Sequence, residues 1–173
     1  EEAGGENVMN PTTIINLSEG STMEMETTQI KGIDSTNRIT NARLEKGATL
    51  IIHEKLMTHG SQYARTEFKV DLDGEDSSTN VVSRSVAKDT SHQIFISKIN
   101  GNSKCAGHTE CDAIIMDNAS VSAIPEIMAN NTEASLIHEA AIGKIAGEQI
   151  IKLMTLGLTE QEAEEQIVNG FLK

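Results

Sequence analysis

Aromatic residues are nearly missing from this sequence of 173 residues, which contains no Trp, one Tyr and three Phe. An interior without rings has to be built from Ile, Val, Leu, Ala and Met, since these are the other side chains that proteins commonly bury. Such side chains suit a narrow core. The composition is therefore compatible with the bore of a β-solenoid.

Positive charge is also in short supply, because 14 Lys and Arg face 26 Asp and Glu for a formal net charge of -12. Nucleic acids and anionic lipids both select surfaces rich in Lys and Arg. The charge argues against nucleic-acid binding and against docking to a membrane. No apolar run approaches the 18 or so residues that span a bilayer, and nothing resembles a signal peptide, so we expect a soluble protein.

Cysteine is scarce, with Cys105 and Cys111 as the two examples. Secreted disulfide scaffolds use many more, so two reduced thiols in a cytoplasmic protein are favoured over a disulfide. The sequence also lacks a Walker loop, a GxSxG elbow and a CxxC pair. We therefore expect no ATPase activity in this chain and do not expect an enzyme.

Short apolar runs predict many strands in the first 140 residues. Polar and apolar residues alternate over 22–26 and 68–72, which is typical of strands with one buried face. Further short runs rich in β-branched residues lie at 14–15, 50–52, 81–82, 94–96 and 114–116. The predicted turns between strands lie at Gly20, Gly32, Gly47, Gly60, Asp73-Gly74, Asn100-Gly101 and Asp117-Asn118.

Two architectures fit many short, evenly spaced strands: a β-sandwich and a stacked β-helix. The few aromatics, the abundant Ser, Thr and Asn, and the near absence of hairpin turns favour the β-helix. No strict repeat is visible, so the pattern leaves both open.

The pattern becomes helical after Gly143. Residues 147–156 carry apolar side chains at helical spacing, and Gly157 supplies a stop. Thr159 and Glu162 form a capping box that begins a second helix. We therefore divide the chain into a β-helix core domain over 1–144 and a C-terminal helical segment over 145–173. Because the sequence begins with Glu1 and ends directly after the second helix, we expect it to be part of a longer protein.

The residues of greatest chemical interest lie at 107–112, 125–126 and 138–143. They include Cys111, His138 and Glu139, and thiolate and imidazole are ligands that bind metals. A buried, inert cysteine is an equally ordinary interpretation of Cys111. Alternation predicts that His138 and Glu139 point to opposite faces of a strand, either as hydrogen-bonded structural groups or as ligands. A zinc site at Cys105, His108 and Cys111 is disfavoured, because no fourth ligand is nearby.

The second half of the chain, from about Ser83 to Lys173, resembles the SufB/SufD family of iron–sulfur cluster assembly proteins. The segments that carry this resemblance are 107–112, 124–126, 138–145, 157–163 and 170–171. The resemblance implies a right-handed parallel β-helix with a small C-terminal α-helical hairpin. It also implies a complex with a SufC-like ABC ATPase and a second SufB/SufD-like subunit. We expect the helical segment to contact the ATPase through four apolar residues: Ile151, Met154, Ile167 and Phe171.

By position, Cys111 matches the family's cysteine thought to hold the nascent cluster, and His138 matches a histidine needed at the subunit interface. Glu139 matches the adjacent glutamate of the SufB pattern. The resemblance thus implies that these three residues are candidate iron ligands for a transient iron–sulfur cluster. The family uses a distant upstream cysteine to receive sulfur, and none precedes Cys105 here, which leaves the sulfur donor open.

Three functions follow from these observations. The first is a SufB-like scaffold that holds iron and sulfide at a subunit interface. The second is a non-catalytic SufD-like interaction module without cluster ligands. The third is a Cys-His-Glu hydrolase or transferase, which requires a thiol of low pKa.

Overall fold

The computed structural model of the protein describes residues 6–173 and leaves residues 1–5 of the predicted core domain outside the description. The described residues form a parallel β-solenoid of about five coils followed by two helices. Sheet A contains β1 (Val8–Met9), β2 (Thr12–Leu17), β4 (Ser35–Leu44), β6 (Tyr63–Leu72), β8 (His92–Gly101) and β10 (Ser120–Ala129). Sheet B contains β3 (Thr22–Gln29), β5 (Thr49–Thr58), β7 (Ser77–Ala87), β9 (Cys105–Ile115) and β11 (Ser135–Gly143). The predicted β-helix is confirmed and the sandwich alternative is wrong, while the right hand of the coil stays a prediction.

Neighbouring coils stack in parallel register, but the length of a coil varies. Asn7 and Asp34 are paired at an offset of 27 residues, and Thr49 and Ser78 at an offset of 29. Because the offset changes from coil to coil, the sequence shows no strict period even though the structure repeats.

The interior is narrow and mostly aliphatic. Its most deeply buried side chains include Leu44, Leu50, Ile52, Val70, Leu72, Val81 and Ile99. Two of the three Phe residues, Phe68 and Phe95, also lie there, with ring centroids 5.9 Å apart. Burying one such side chain contributes about 1.5–3 kcal/mol, so this column of side chains is the main stabilising element of the solenoid.

Left-handed backbone conformations mark the corners of the coils. Gly60 has a φ of 59°, and the equivalent corners of the next two coils carry Asp89 and Asp117 at 60° and 55°. The side chain of Asp89 accepts a hydrogen bond from the Gly60 N–H at 2.6 Å, and that of Asp117 accepts one from the Asp89 N–H. Short polar side chains thus replace glycine at later corners, where they tolerate this conformation and link adjacent coils.

One predicted turn is wrong. Asn100 and Gly101 belong to β8, and Gly101 faces the interior. A Cβ atom there would lie 2.8 Å from the Cβ of Ala134, so glycine is required by close packing and not by a turn. Three strands were not predicted from the sequence. β1 has only two residues, and β4 has few apolar residues. β10 contains Pro125, which is tolerated because β10 is an edge strand of sheet A.

The C-terminal hairpin consists of α1 (Gly147–Met154) and α2 (Glu160–Phe171). Gly157 has a φ of 97°, as its role as a helix stop requires, and the capping box at Thr159 and Glu162 is present. Val168 of α2 packs in a cluster with Val86 and Met116 of the solenoid. The two C-terminal helices are confirmed, and the division into domains at residue 144 stays a prediction. Neither helix in the described part of the chain is long and apolar enough to cross a membrane.

The two strands of the last coil, β10 and β11, are the terminal strands of their sheets. Within residues 6–173, β10 pairs with β8 alone and β11 pairs with β9 alone. Their exposed apolar side chains are Ile124, Ile127, Met128, Ile137 and Ile142. This end of the solenoid therefore combines free strand edges with an apolar surface, which is typical of a surface that another protein covers.

Candidate functional site

Strand β9 separates its chemically active residues onto two faces. Cys105, Thr109 and Cys111 point into the solenoid, whereas His108 and Glu110 point outward. This division follows from the two-residue period of a strand. The motif at 107–112 therefore contributes to two different environments, one dry and one exposed to solvent.

Cys111 is 1% exposed and lies opposite Ser83 of β7. Burial, reinforced by the negative charges of Glu54 and Asp112, raises the pKa of the Cys111 thiol to about 12. The thiol is therefore protonated at neutral pH, in which form it is a weak nucleophile and a weak ligand. This is the opposite of what the hydrolase or transferase alternative requires.

Glu54 is a buried carboxyl group beside this cysteine. It accepts hydrogen bonds from Thr66 Oγ1 at 2.9 Å and from Ser83 Oγ at 2.8 Å. Burial raises the pKa of Glu54 and outweighs the opposing effect of these hydrogen bonds. Glu54 was not predicted from the sequence, although it occupies an inward position of the alternating strand β5, after Leu50 and Ile52.

His138 also faces inward, from the terminal strand β11. Its Nδ1 lies 2.6 Å from Thr109 Oγ1, and its Nε2 is buried without a hydrogen-bond partner among residues 6–173. Burial, assisted by the nearby His108, lowers the pKa of His138, so the ring is neutral. A neutral imidazole with a free, buried nitrogen is the form that binds a metal.

Glu139 lies on the outer face, as alternation predicts, and is exposed. Its Oε2 is 3.2 Å from His108 Nε2, and it sits directly opposite Glu110 in the register of β9 and β11. Hydrogen bonding with Asp112, together with burial, raises the pKa of Glu110. The three predicted iron ligands are thus divided: Cys111 and His138 share the interior, and Glu139 joins His108 and Glu110 outside.

Cys105 is a second buried cysteine on the inner face of β9. Burial raises the pKa of its thiol as well. Six residues of strand separate it from Cys111 by roughly 20 Å, so the two cannot form a disulfide, and both are free thiols. Since His108 points to the other face, the zinc site considered for Cys105, His108 and Cys111 does not form.

The four predicted partner-binding residues differ in accessibility. Ile151 and Met154 of α1 are 62% and 43% exposed. Phe171 packs with the cluster around Val86, and Ile167 is half-buried. Leu156, which follows α1 and was not singled out from the sequence, is the most exposed apolar residue of the hairpin at 77%. An accessible apolar surface is therefore formed by Ile151, Met154 and Leu156.

Residues 6–173 thus form a β-solenoid with a buried Cys111 thiol, a His138 ring whose Nε2 has no hydrogen-bond partner among them, and two terminal strands with exposed apolar side chains. Comparison with known families matches residues 2–171 to the SufBD core domain of SUF system FeS cluster assembly. The chain belongs to the SufBD family.

Similar proteins are found in archaea. An iron–sulfur cluster assembly SufBD family protein of Methanocaldococcus jannaschii is 32% identical over 170 residues, which cover 97% of this chain and 54% of that protein. One of Archaeoglobus fulgidus is 31% identical over 164 residues, covering 94% and 44%. One of Methanothermobacter thermautotrophicus strain Delta H is 42% identical over 106 residues, covering 60% and 26%. The chain thus spans between about a quarter and about half of the length of these relatives.

Proposed function

We propose that this chain acts as a SufB-like scaffold on which iron and sulfide are assembled at a subunit interface. The observation that carries the proposal is the buried Nε2 of His138, which finds no hydrogen-bond partner in the described part of the chain and lies on the terminal strand β11. Leaving such a nitrogen unpaired in the interior costs about 1–3 kcal/mol, so a function that uses it is a natural explanation.

The chemistry of the inner residues fits iron and sulfide as the substrates. A thiol and a neutral imidazole are ligands suited to iron–sulfur chemistry, and Cys111 and His138 face the same interior from neighbouring strands. At rest the Cys111 thiol is protonated and shielded from solvent. Iron binding therefore requires β11 to move away from β9, which exposes the thiol and lets the metal displace its proton.

The free edges at the last coil support a second SufB/SufD-like subunit as the partner. Ile124, Ile127 and Met128 are exposed there on β10, and Ile137 on β11. Covering them by an identical or a related subunit would bury apolar area and pair the strand edges. The cluster ligands of this chain would then lie close to those of its partner.

The hairpin surface of Ile151, Met154 and Leu156 is the proposed contact for a SufC-like ABC ATPase. This surface is exposed on α1 and just after it, while α2 is anchored to the solenoid through Val168. A force applied to α1 would therefore reach sheet B, which contains β9 and β11. ATP-driven movement would thereby open the inner site to iron and to sulfide from a sulfur donor.

Anaerobic reconstitution with Fe²⁺ and sulfide, in the presence of the ATPase and the paired subunit, tests the proposal. Cys111→Ser should lower the iron and sulfide retained per complex at least tenfold. Cys105→Ser is the matched control, because it removes a second buried thiol from the same face of the same strand. Equal retention by both variants would refute the scaffold role of Cys111.

A non-catalytic SufD-like interaction module is the second candidate. The burial of Cys111 and the separation of Glu139 from it favour this alternative, because neither residue is positioned at rest to bind iron with the other. In that case Cys111→Ser leaves cluster formation intact. Met154→Asp in the hairpin should still abolish binding of the ATPase, which calorimetric titration would measure.

A further inference from the structure

His108, Glu110 and Glu139 converge on the outer face of sheet B, on the opposite side of the backbone from Cys111. One ligand atom from each of the three residues lies within 4.8 Å of the other two. Glu110 and Glu139 are directly opposite each other on β9 and β11, and His108 precedes Glu110 on the same face. The parallel register therefore builds a cluster that neither strand holds alone.

The imidazole of His108 is oriented for metal binding by a neighbour in β7. His108 Nδ1 lies 2.8 Å from Asn80 Oδ1, and an amide oxygen only accepts hydrogen bonds. The N–H at Nδ1 therefore donates to Asn80, which turns Nε2 toward Glu139 Oε2, 3.2 Å away. A bound metal ion would take the place of a proton on Nε2, because metal binding displaces protons from its ligands. A ligand histidine held through its other nitrogen is a recurrent arrangement around protein metal sites.

Several carboxylates lie close together in and beside the cluster. Two glutamates directly opposite each other on paired strands repel, and Asp112 adds a third carboxylate on the same face of β9. Arg84 lies opposite Asp112 on β7, and its charge acts on Glu110 from the side away from Glu139. A divalent cation bound between Glu110 and Glu139 would compensate both opposed carboxylates.

We infer that His108, Glu110 and Glu139 form a binding site for one first-row divalent transition metal ion. One imidazole and two carboxylates suit such ions better than the all-oxygen sets preferred by Ca²⁺ and Mg²⁺. Ligand atoms at 2.0–2.2 Å from a metal lie up to about 4.4 Å apart. The exposed Glu139 side chain can make the small adjustment that this geometry requires.

Fe²⁺ is the ion assigned to this site, and that assignment rests on the proposed function. The site shares β9 and β11 with Cys111 and His138 but lies on their other face. It would thus receive iron at the surface, next to the position where the cluster is proposed to form. Glu139 belongs to this outer site and not to a ligand set with Cys111.

Anaerobic titration of the full chain with Co²⁺, followed by ultraviolet and visible absorption, tests the site. We expect one equivalent of Co²⁺ per chain, without the thiolate-to-metal charge transfer that a cysteine ligand produces. His108→Ala should weaken binding at least 100-fold and Glu139→Gln at least tenfold. Asn80→Ala should weaken it about 10–100-fold, the usual effect of removing such a supporting group, and should change the Co²⁺ spectrum as the ring reorients.

His53→Ala is the matched control, because His53 also lies on the outer face of sheet B, in the same row as Glu110. It should bind Co²⁺ as the original chain does. Equal weakening by His53→Ala, or binding that persists in both His108→Ala and Glu139→Gln, would overturn the inference. All these side chains point outward, so thermal unfolding of each variant should remain within a few degrees of the original.

Fe²⁺ in place of Co²⁺, measured by anaerobic calorimetry, should compete for the same equivalent. Together with the cluster reconstitution, the metal titrations separate the outer metal site from the proposed scaffold role of Cys111. If metal binding depends on His108 but clusters form without Cys111, the outer site is supported and the scaffold role is refuted. If cluster formation depends on Cys111 but Co²⁺ binding does not depend on His108, the scaffold role is supported and the outer site is refuted.

Discussion

The inner and outer faces of sheet B differ in burial and in chemistry, although the same strands form both. On β9, Cys111 is buried and its thiol has a pKa of about 12, whereas the adjacent Glu110 reaches solvent beside His108. On β11, His138 is turned inward and Glu139 outward. Residues adjacent in a motif are therefore separated by the thickness of a sheet. The inner face supplies a dry, protected thiol, and the outer face supplies charged groups to water.

The largest expected difference between an inward and an outward side chain is in stability, and β6 of sheet A offers the matched pair. Phe68→Ala removes a ring from the packed interior and should lower the free energy of unfolding by about 3–5 kcal/mol. The matched outward change, Lys69→Ala, removes one exposed ion pair with Asp71 and should alter it by less than about 0.5 kcal/mol. Urea denaturation followed by circular dichroism would measure both. Similar losses for the two variants would contradict the contrast.

The next effect concerns the reactivity of the inner thiols. Because Cys111 is buried and protonated, its alkylation by iodoacetamide at pH 7 should be at least about 100-fold slower in the folded chain than in urea. Cys105, buried on the same face, should be similarly protected. Mass spectrometry of the alkylated peptides would give both rates. Rapid, selective alkylation of Cys111 in the folded chain would instead restore the low-pKa thiol of the hydrolase alternative.

The smallest expected effect is the dependence of stability on pH that Glu54 introduces. Its pKa is raised in the folded state, so its contribution to stability is greatest below the unfolded pKa of about 4.5 and is lost as pH rises through the folded pKa. Within that window, the free energy of unfolding changes by at most about 1.4 kcal/mol per pH unit through this group.

Glu54→Gln, which keeps one acceptor and one donor for Thr66 and Ser83, should remove this slope. The variant should be the more stable protein at pH 7, and the difference should shrink towards pH 4.5. Denaturation curves across this range would show it, with the exposed Glu45→Gln as the control. A variant that is less stable than the original chain at pH 7 would mean that the two hydrogen bonds outweigh the burial of charge.

Much of the architecture could be predicted because it depends on local patterns. Alternation located β3 and β6, and the Thr159 capping box located the start of α2. The corner at Asp117 was predicted as a turn, but Asp89 concealed its corner, since aspartate there does not look like glycine. Gly101 looked like a turn residue because a sequence does not reveal that Ala134 fills the space around it.

The site was harder to predict because it depends on which coils are neighbours. Alternation correctly separated His138 from Glu139, but pairing His108 with Glu139 requires the offset between β9 and β11. Glu54 lies far from Cys111 in sequence and reaches it only through the stacking of β5, β7 and β9. Variable coil lengths hide these offsets, so the residues around the thiol follow from the fold and not from the motif.

The corner aspartates have a consequence for how the chain is built and lengthened. Each one accepts a hydrogen bond from the corner N–H of the coil before it, as Asp89 does from Gly60 and Asp117 from Asp89. The coil that contains Asp89 thus presents to the next coil the same connection that it receives from the coil before. In evolution, duplication of a whole coil preserves all of these links, whereas loss of a single corner residue breaks one. The corner hydrogen bonds are therefore compatible with lengthening of the protein by complete coils.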